Sequence, residues 1–436
     1  MTSLLDIGSF SFILYFSLAI GICTLFLIAI LRPGIYLLLA LISIFNPYTV
    51  YTILTLIWDK SGIRAGISII FLFVFFLVIF FKACIQKKVS RIKTPIDELL
   101  IVLLIFPLIG IAYGFFKGYS PRLIVADAFP ILEFISYFFM TTLIVKKREQ
   151  INLLFVVSLS WLLLVELGEI IFYLVFPQQF SQRVILGGAM IYRLNDFMAA
   201  IAFPVLIALF VNAKSRRYRV LISLLAVIPL VVVFVSFFRS LWASVAGSLV
   251  FILWINRKKK KQFKPLLNIL LLLGILILPI NYFSSQVQLF EGKSLSSVIF
   301  DRVTLKDYGG RIQQNRATLD KMLDSPLIGK GFGDEDISAP SNYYWNIGYK
   351  LGMPALLFFL LVAFITVRRG IRIFKYLPDG ALKGWALGAL ASFVGMSLVI
   401  MAFPAIIAFP IPAYLGTYAA LLFIMPKVIK IKGAKE

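Results

Sequence analysis

The sequence predicts an all-α polytopic membrane protein with about 12–14 transmembrane helices and one long external loop that carries short helices. Three observations predict this fold class. The 436 residues are 61% hydrophobic with a mean hydropathy of +0.97, whereas a soluble globular chain is typically about 45–50% apolar. The apolar residues form blocks of roughly 17–25 residues, which is the length that crosses a hydrocarbon core. Short basic clusters separate these blocks.

The apolar blocks predict about thirteen membrane spans, with boundaries uncertain by a few residues. The chain accordingly divides into transmembrane helices over residues 1–283, a large periplasmic or extracellular loop over residues 284–341, and C-terminal transmembrane helices over residues 342–436. The predicted spans lie near residues 9–31, 35–57, 65–83, 97–115, 123–145, 151–176, 194–213, 220–237, 240–255, 265–283, 342–367, 385–403 and 409–426.

The positions of the basic residues explain the net charge of +23. They are enriched in every other connection, as the positive-inside rule predicts for cytoplasmic loops. We therefore expect a multi-pass plasma-membrane protein with an outside N-terminus, an inside C-terminus and no nucleic-acid partner. No Lys or Arg precedes Arg32, so we expect no cleavable signal peptide. The clusters are Lys87–Lys93, Lys146–Arg148, Lys214–Arg219, Arg257–Lys261, Arg368–Arg372 and Lys427–Lys432.

The chain contains no histidine and two cysteines, Cys23 and Cys84. Histidine-based metal sites, histidine general bases and Ser-His or Cys-His catalytic pairs are therefore excluded. The two cysteines cannot build a metal site by themselves. We expect neither a metal nor a cofactor.

The external loop is nearly neutral, because residues 284–341 carry seven Lys/Arg and eight Asp/Glu. A loop of this length is usually functional or disordered. Residues 311–324 predict a short amphipathic helix that lies on the outer face or plugs it. Its apolar face would comprise Ile312, Leu319, Met322 and Leu323.

Three arginines lie on the outward side, where the orientation rule predicts few basic residues. They are Arg193, Arg239 and Arg311, and Arg183 is a weaker fourth. An arginine at membrane depth is costly and usually marks a site, and guanidinium binds phosphate or pyrophosphate bidentately. Each arginine could instead anchor a helix end by snorkelling. Three of them at one face favour a polyanion-binding site.

Several acidic residues fall within or beside predicted spans. Glu166 and Glu169 share a helix face because they are three residues apart. These carboxylates either pair with buried arginines, which is the favoured interpretation, or act as a proton relay or general base. The residues are Asp127, Glu133, Glu166, Glu169 and Asp196.

A glycine-rich stretch, Pro326-Leu-Ile-Gly-Lys-Gly-Phe-Gly333, follows the loop helix. Glycines before a helix can cradle phosphate with backbone N–H groups, but this is not a P-loop, since no Gly-Lys-Ser/Thr ends it. The order of Arg, short helix, this stretch, loop, Asn342-Tyr-Tyr and Gly-containing span resembles the C-terminal region of the O-antigen ligase/polymerase family. The resemblance is densest over residues 309–365 and looser over Ser236 to Gly247.

The resemblance implies a GT-C-like membrane glycosyltransferase of the bacterial inner membrane. Its implied partners are an undecaprenyl-pyrophosphate-linked glycan donor and acceptor, membrane lipids and a chain-length regulator. A glycan would pass from undecaprenyl pyrophosphate to the terminal sugar hydroxyl of a second lipid-linked repeat unit. The catalytic candidates are Arg239, Arg311, Asp196 and Asp336. The substrate-binding candidates are Arg193, Asn195, Arg316, Ser341, Asn342 and Tyr343.

One departure from the family pattern favours a polymerase of O-antigen or a similar surface polysaccharide. Ligases of the family typically have His-Asn where this chain has Ser341-Asn342, and polymerases often lack that histidine. A ligase is the first alternative. A flippase for the same lipid-linked glycan is another, because it would also have about 12–14 spans and a cationic cavity. Transporters commonly show internal repeats, and none is evident here.

Overall fold

The structure is a computed structural model of the chain. It describes residues 21, 23–44, 70, 73–79, 92–175, 182–186, 189–193, 197–236, 238–257, 309–334, 342–402 and 411–429. All statements on the fold concern these residues.

The described elements are helices apart from one short β-hairpin. In chain order they are α1 (Pro33–Ile44), α2 (Asp97–Phe116), α3 (Pro121–Ile144), α4 (Arg148–Val175), β1 (Gln182–Leu186), β2 (Ala189–Arg193), α5 (Ala199–Asn212), α6 (Arg216–Ser236), α7 (Arg239–Ile255), α8 (Gly309–Leu323), α9 (Tyr343–Leu351), α10 (Met353–Tyr376), α11 (Ala381–Ala402) and α12 (Ile411–Val428).

Among the described residues, seven helices are long and apolar enough to cross a membrane: α2, α3, α4, α6, α10, α11 and α12. The shorter apolar helices α5 and α7 complete the bundle. These nine helices coincide with nine of the predicted spans, which confirms an all-α polytopic membrane protein. The predicted span 265–283 lies outside the described residues.

Small residues on α11 hold the centre of the bundle together. A Cβ added to Gly388 would approach the backbone of Val205 in α5 at 2.7 Å, and one at Gly395 would collide with the Ser248 hydroxyl of α7. The Ser248 hydroxyl of α7 donates to the Ala391 carbonyl of α11 at 2.9 Å. The Ser392 hydroxyl of α11 donates to the Ile201 carbonyl of α5 at 3.0 Å. Close backbone approach through small residues is how helices associate within a bilayer.

The predicted span 342–367 is wrong at its start. The chain breaks at Gly352, whose backbone has φ +87° and ψ 167°, so α9 and α10 are separate helices. An L side chain rarely adopts this conformation. Helix α10 then continues to Tyr376, beyond the predicted end of the span.

The β-hairpin was not expected from the sequence. Strands β1 and β2 pair antiparallel, with Gln182 opposite Arg193 and Leu186 opposite Ala189. The residues between the strands in sequence are two glycines, which two-residue hairpin connections favour. Arg193 therefore ends a strand, and the predicted start of the span 194–213 is wrong because α5 begins at Ala199.

Candidate functional site

The two ends of the helix bundle differ in their helix termini and in their charged residues. The end where α2 finishes and α3 begins also carries the first residues of α7 and α10. We refer to it as the outer end, since the charge pattern predicts that it faces away from the cytoplasm. The opposite end, with the basic clusters before α4 and α6, is the inner end.

The glycine-rich segment 326–334 packs on the outer end against α2 and α9. Its backbone is fixed by hydrogen bonds: Lys330 N donates to Tyr349 O at 2.9 Å, Gly331 N to Lys350 O at 2.9 Å, and Phe332 N to Gly110 O at 3.2 Å. These amides are occupied by protein acceptors. The Gly331 amide is therefore not available to bind phosphate in this structure.

Glycine is required in this segment for both conformation and space. Gly331 and Gly333 each have φ +88°, a region that L side chains rarely occupy. A Cβ on Gly331 would lie 2.9 Å from the Tyr113 ring, and one on Gly333 would lie 2.8 Å from Ile124. The glycine spacing thus serves the packing of the segment onto α2 and α3.

A buried ion pair ties the segment to the bundle. Lys350 Nζ of α9 lies 2.8 Å from Asp127 Oδ2 of α3, and their side chains are 8% and 23% exposed. The same carboxylate oxygen accepts from Gly333 N at 2.8 Å. Lys350 Nζ also donates to the Asp334 carbonyl at 2.6 Å. A buried ion pair persists only with such additional hydrogen bonds, because removing both charges from water is costly.

Asp334 is held through both its backbone and its side chain. The Tyr349 hydroxyl donates to Asp334 Oδ2 at 2.8 Å, and Asp334 is buried. Asp334 is the last described residue before the acidic pair Glu335 and Asp336, which lie outside the described residues. The network therefore fixes the position of Asp334.

Asn342 and Tyr343, both substrate-binding candidates, begin α9. Asn342 Oδ1 accepts from Tyr344 N at 2.9 Å, so Asn342 is the N-cap of the helix. Tyr343 is buried, and burial raises the pKa of its hydroxyl above the usual range, with the nearby Asp127 charge adding to the increase. Tyr343 therefore stays protonated and cannot act as a base at ordinary pH.

An apolar cavity of about 50 Å³ lies beside α9, among α2, α3, α10, α11 and α12. The hydroxyl of Tyr344 donates to the Ser397 carbonyl of α11 at 3.2 Å, which fixes this ring at the cavity. The lining is almost wholly apolar and includes Pro130, Phe134, Tyr343, Tyr344, Phe359 and Val362. Such a surface suits a hydrocarbon chain and excludes ions.

Arg239 is the first residue of α7 and is half-buried, with its Nε atom shielded from solvent. The turn before it is fixed, because Trp242 Nε1 donates to Val233 O at 2.9 Å. The rings of Phe238 and Phe197 lie 4.7 Å apart, which brings the start of α5 beside the start of α7. A cation at a helix N-terminus opposes the helix dipole. An anion bound there would be stabilised by both the guanidinium and the dipole.

The remaining arginine candidates lie on β2 and α8. Arg193 ends β2 and Arg311 lies in the first turn of α8, while Arg316 is exposed on α8. The other candidates, Asn195, Asp196, Asp336 and Ser341, lie outside the described residues.

The predicted loop helix is present as α8. Among its described side chains, Met322 and Thr318 are buried, while Leu323 of the predicted apolar face is 62% exposed. The Thr318 hydroxyl donates to the Gln314 carbonyl at 2.8 Å, so burial of this polar residue leaves no unpaired hydroxyl. Met322 packs against α9 at Gly348.

One finding on the acidic residues differs from expectation, and the roles predicted for the glutamates stay predictions. The partner of Asp127 is Lys350 and not an arginine. Glu133, Glu166 and Glu169 are buried within α3 and α4. Sequence reasoning missed Lys350 as a site residue, although a lysine inside the apolar run before Leu351 is a detectable sign of a buried ion pair.

Comparison with known proteins finds a family match, and it covers the region that contains Arg239 and Lys350. A sequence model of the O-antigen ligase family matches residues 224–360, roughly a third of the chain. The match includes α7, α8, the segment 326–334 and α9. It confirms the resemblance to the O-antigen ligase/polymerase family. No curated protein matches the chain.

Proposed function

We propose that this multi-pass chain, whose residues 224–360 match the O-antigen ligase family, polymerises undecaprenyl-pyrophosphate-linked repeat units into O-antigen or a similar surface polysaccharide. One observation carries the proposal. Within the matched region, the half-buried arginine at the start of α7 and the anchored segment 326–334 with α9 belong to the same end of the bundle. A ligand with a pyrophosphate head and a hydrocarbon tail would use both a cation such as Arg239 and an apolar surface such as the cavity beside α9.

The reaction balances without an oxidant, a nucleotide or water. The bond between the anomeric carbon of the donor glycan and the pyrophosphate oxygen breaks. A bond from that carbon to the acceptor hydroxyl oxygen forms, and the hydroxyl proton leaves to a base. Undecaprenyl pyrophosphate departs with the electron pair of the broken bond.

Arg239 would bind the departing pyrophosphate, together with Arg193 and Arg311. Negative charge develops on the leaving group in the transition state, so fixed cations at that point lower the barrier. The guanidinium suits two phosphate oxygens at once. The N-terminus of α7 adds backbone N–H groups beside it.

The general base would be Asp196 or Asp336. Asp127 is neutralised by Lys350, and the Asp334 carboxylate accepts from Tyr349, so both are engaged in holding the fold. Asp336 follows the anchored Asp334 by two residues. Asp196 directly precedes Phe197, whose ring contacts the residue before Arg239.

The acceptor would bind on the loop side of the site. Arg316, Ser341 and Asn342 offer side-chain donors for sugar hydroxyls, and residues 284–341 would shape this side. The apolar cavity beside Tyr343 would hold part of a polyprenyl tail, with the exposed apolar faces of the bundle holding the rest.

The first test is the glycan made by cells that lack this protein and carry a variant copy. We expect Arg239→Ala to lower the polymerisation rate by about 10²–10³-fold, as for other single electrostatic groups. Arg257→Ala is the matched control, because Arg257 is exposed at the opposite end of the same helix. Measured as the ladder of polymer lengths, wild type and Arg257→Ala give long chains, and Arg239→Ala gives single repeat units.

The gel, together with an assay of the leaflet in which the lipid-linked glycan accumulates, separates the alternatives. A ligase is the second candidate, since the matched family is described as O-antigen ligase. Intact polymer retained on the lipid carrier in cells without the protein would indicate a ligase. Single repeat units trapped on the cytoplasmic leaflet would indicate a flippase and overturn the enzyme proposal.

A further inference from the structure

The inner half of α10 presents a row of cations on one face. Arg368, Arg372 and Lys375 follow one another at spacings of four and three residues, so they share a helix face. All three are exposed. Helix α10 contains no acidic residue, so nothing on its own surface compensates this charge.

No carboxylate of the described residues pairs with these three side chains. The nearest acidic residue along the chain, Asp379, pairs with Lys383 at 3.1 Å instead. Three like charges within about 10 Å along a helix repel one another. An external anion would relieve that repulsion.

The three cations share an open surface of α10 with the side chains of Phe364, Val367, Ile371 and Tyr376. On the same helix, further from the inner end, Leu357 and Phe364 are each 61% exposed, which is expected of a lipid-facing surface. The surface changes from apolar to cationic within about two helix turns.

We propose that this face of α10 binds an anionic phospholipid of the cytoplasmic leaflet. The phosphate would lie between Arg368 and Arg372, with Lys375 closer to the water. The acyl chains would follow the exposed apolar face towards Leu357. A ligand with an anionic head group next to hydrocarbon tails matches a surface that is cationic at the inner end and apolar further into the membrane. Free phosphate would contact only the cationic part. The proposal requires the predicted orientation of the bundle but not the proposed polymerase activity.

The test uses the purified full-length protein in nanodiscs of phosphatidylcholine with increasing phosphatidylglycerol. Native mass spectrometry counts the phosphatidylglycerol retained, and thermal unfolding gives the stabilisation. We expect the triple variant Arg368→Gln/Arg372→Gln/Lys375→Gln to bind about 100-fold more weakly, since each basic side chain near an anionic surface contributes about fivefold. Its own unfolding midpoint in phosphatidylcholine shows whether it folds.

The matched control removes the same charge elsewhere on the inner end. Lys214→Gln/Arg216→Gln/Arg217→Gln replaces three exposed cations before and at the start of α6. Full retention of phosphatidylglycerol by this control, with loss in the α10 variant, supports the site. Equal loss in both variants means general attraction to an anionic bilayer and overturns it. Equal stabilisation of wild type by inorganic phosphate alone would also overturn the assignment to a lipid.

Discussion

Asn342 shows how one side chain can serve both the fold and the proposed chemistry. Its Oδ1 accepts from Tyr344 N and caps α9, while its amide nitrogen is a donor of the kind that binds a sugar hydroxyl. The resemblance to the family predicts substrate binding, and the structure adds the capping role. The two roles involve different atoms, so substitutions can separate them.

We predict that Asn342→Asp keeps the stability of the protein but lowers polymer synthesis. Aspartate is as good an N-cap as asparagine, and its charge is favourable at a helix N-terminus. It cannot donate to a sugar and would repel a pyrophosphate. Asn342→Ala should lose about 1 kcal/mol of stability as well as activity. Thermal unfolding and the rate of glycan transfer measure the two effects; full activity in Asn342→Asp would leave Asn342 with the capping role alone.

A single residue can be identified from the sequence when it departs from a pattern that its sequence neighbours define, such as the charge pattern of the loops. Arg239 was predicted because an arginine in an outward turn conflicts with the charge pattern, and the structure has it half-buried at the start of α7. Lys350 was missed because a lysine near a predicted span start is also consistent with a helix-end anchor. Its partner Asp127 is 223 residues away, and no pattern in one sequence supplies that contact.

At the scale of elements, the segment 326–334 and α9 behave as one unit. Backbone hydrogen bonds join Lys330 and Gly331 to the end of α9, and Met353 N donates back to Pro326 O at 2.7 Å. The ion pair between Lys350 and Asp127 then joins this unit to α3. Displacing the unit would also displace Asp334, which Tyr349 and Lys350 hold in place.

We predict that Lys350→Met destabilises the protein by about 3 kcal/mol, towards the lower limit for removing one partner of a buried pair, because Asp127 keeps some exposure. Asp127→Asn/Lys350→Met should be less destabilised than the sum of the single variants, since neither leaves a buried charge. Thermal unfolding of wild type, Asp127→Asn, Lys350→Met and the double variant in detergent measures the coupling energy between the two side chains.

A second lysine–aspartate pair on the neighbouring segment provides the control for this double-mutant cycle. Lys330 and Asp324 lie 3.9 Å apart, with side chains 34% and 63% exposed, so Lys330→Met should change stability by less than about 1 kcal/mol. Additive effects of the Asp127 and Lys350 substitutions would contradict a direct ion pair. Polymer synthesis that survives loss of the pair would show that the segment needs no such anchor.

The predictability of the elements follows the strength of their patterns. Long apolar runs gave nine helices correctly because hydrophobic length is decided locally. The break at Gly352 was missed, since one glycine within an apolar run is tolerated in a helix, and its positive φ arises from packing against the Leu327 backbone. The hairpin over Gln182–Arg193 was missed because its strands have five residues each.

At the scale of the whole molecule, charge divides the bundle into two ends with different chemistry. The outer end carries a few cations at fixed positions beside buried polar groups, as at Arg239 and Lys350. The inner end carries many exposed cations, among them Arg216, Arg217 and Arg368. Pyrophosphate binding at the first end and phospholipid binding at the second both require that these ends face opposite sides of the membrane.

We predict that a membrane-impermeant maleimide labels Asp324→Cys, but not Arg217→Cys, in sealed right-side-out vesicles. Both positions are exposed, one beside α8 and one on α6, and Cys23→Ser/Cys84→Ser provides a background without native thiols. Permeabilised vesicles, in which both variants should react, control for the reactivity of each thiol. The charge pattern requires this result, because basic clusters stay on the cytoplasmic side. The opposite labelling would put Arg239 on the cytoplasmic side, away from the leaflet where polymerisation is proposed. It would also put the lipid site of α10 in the outer leaflet. Both proposals would then fail together.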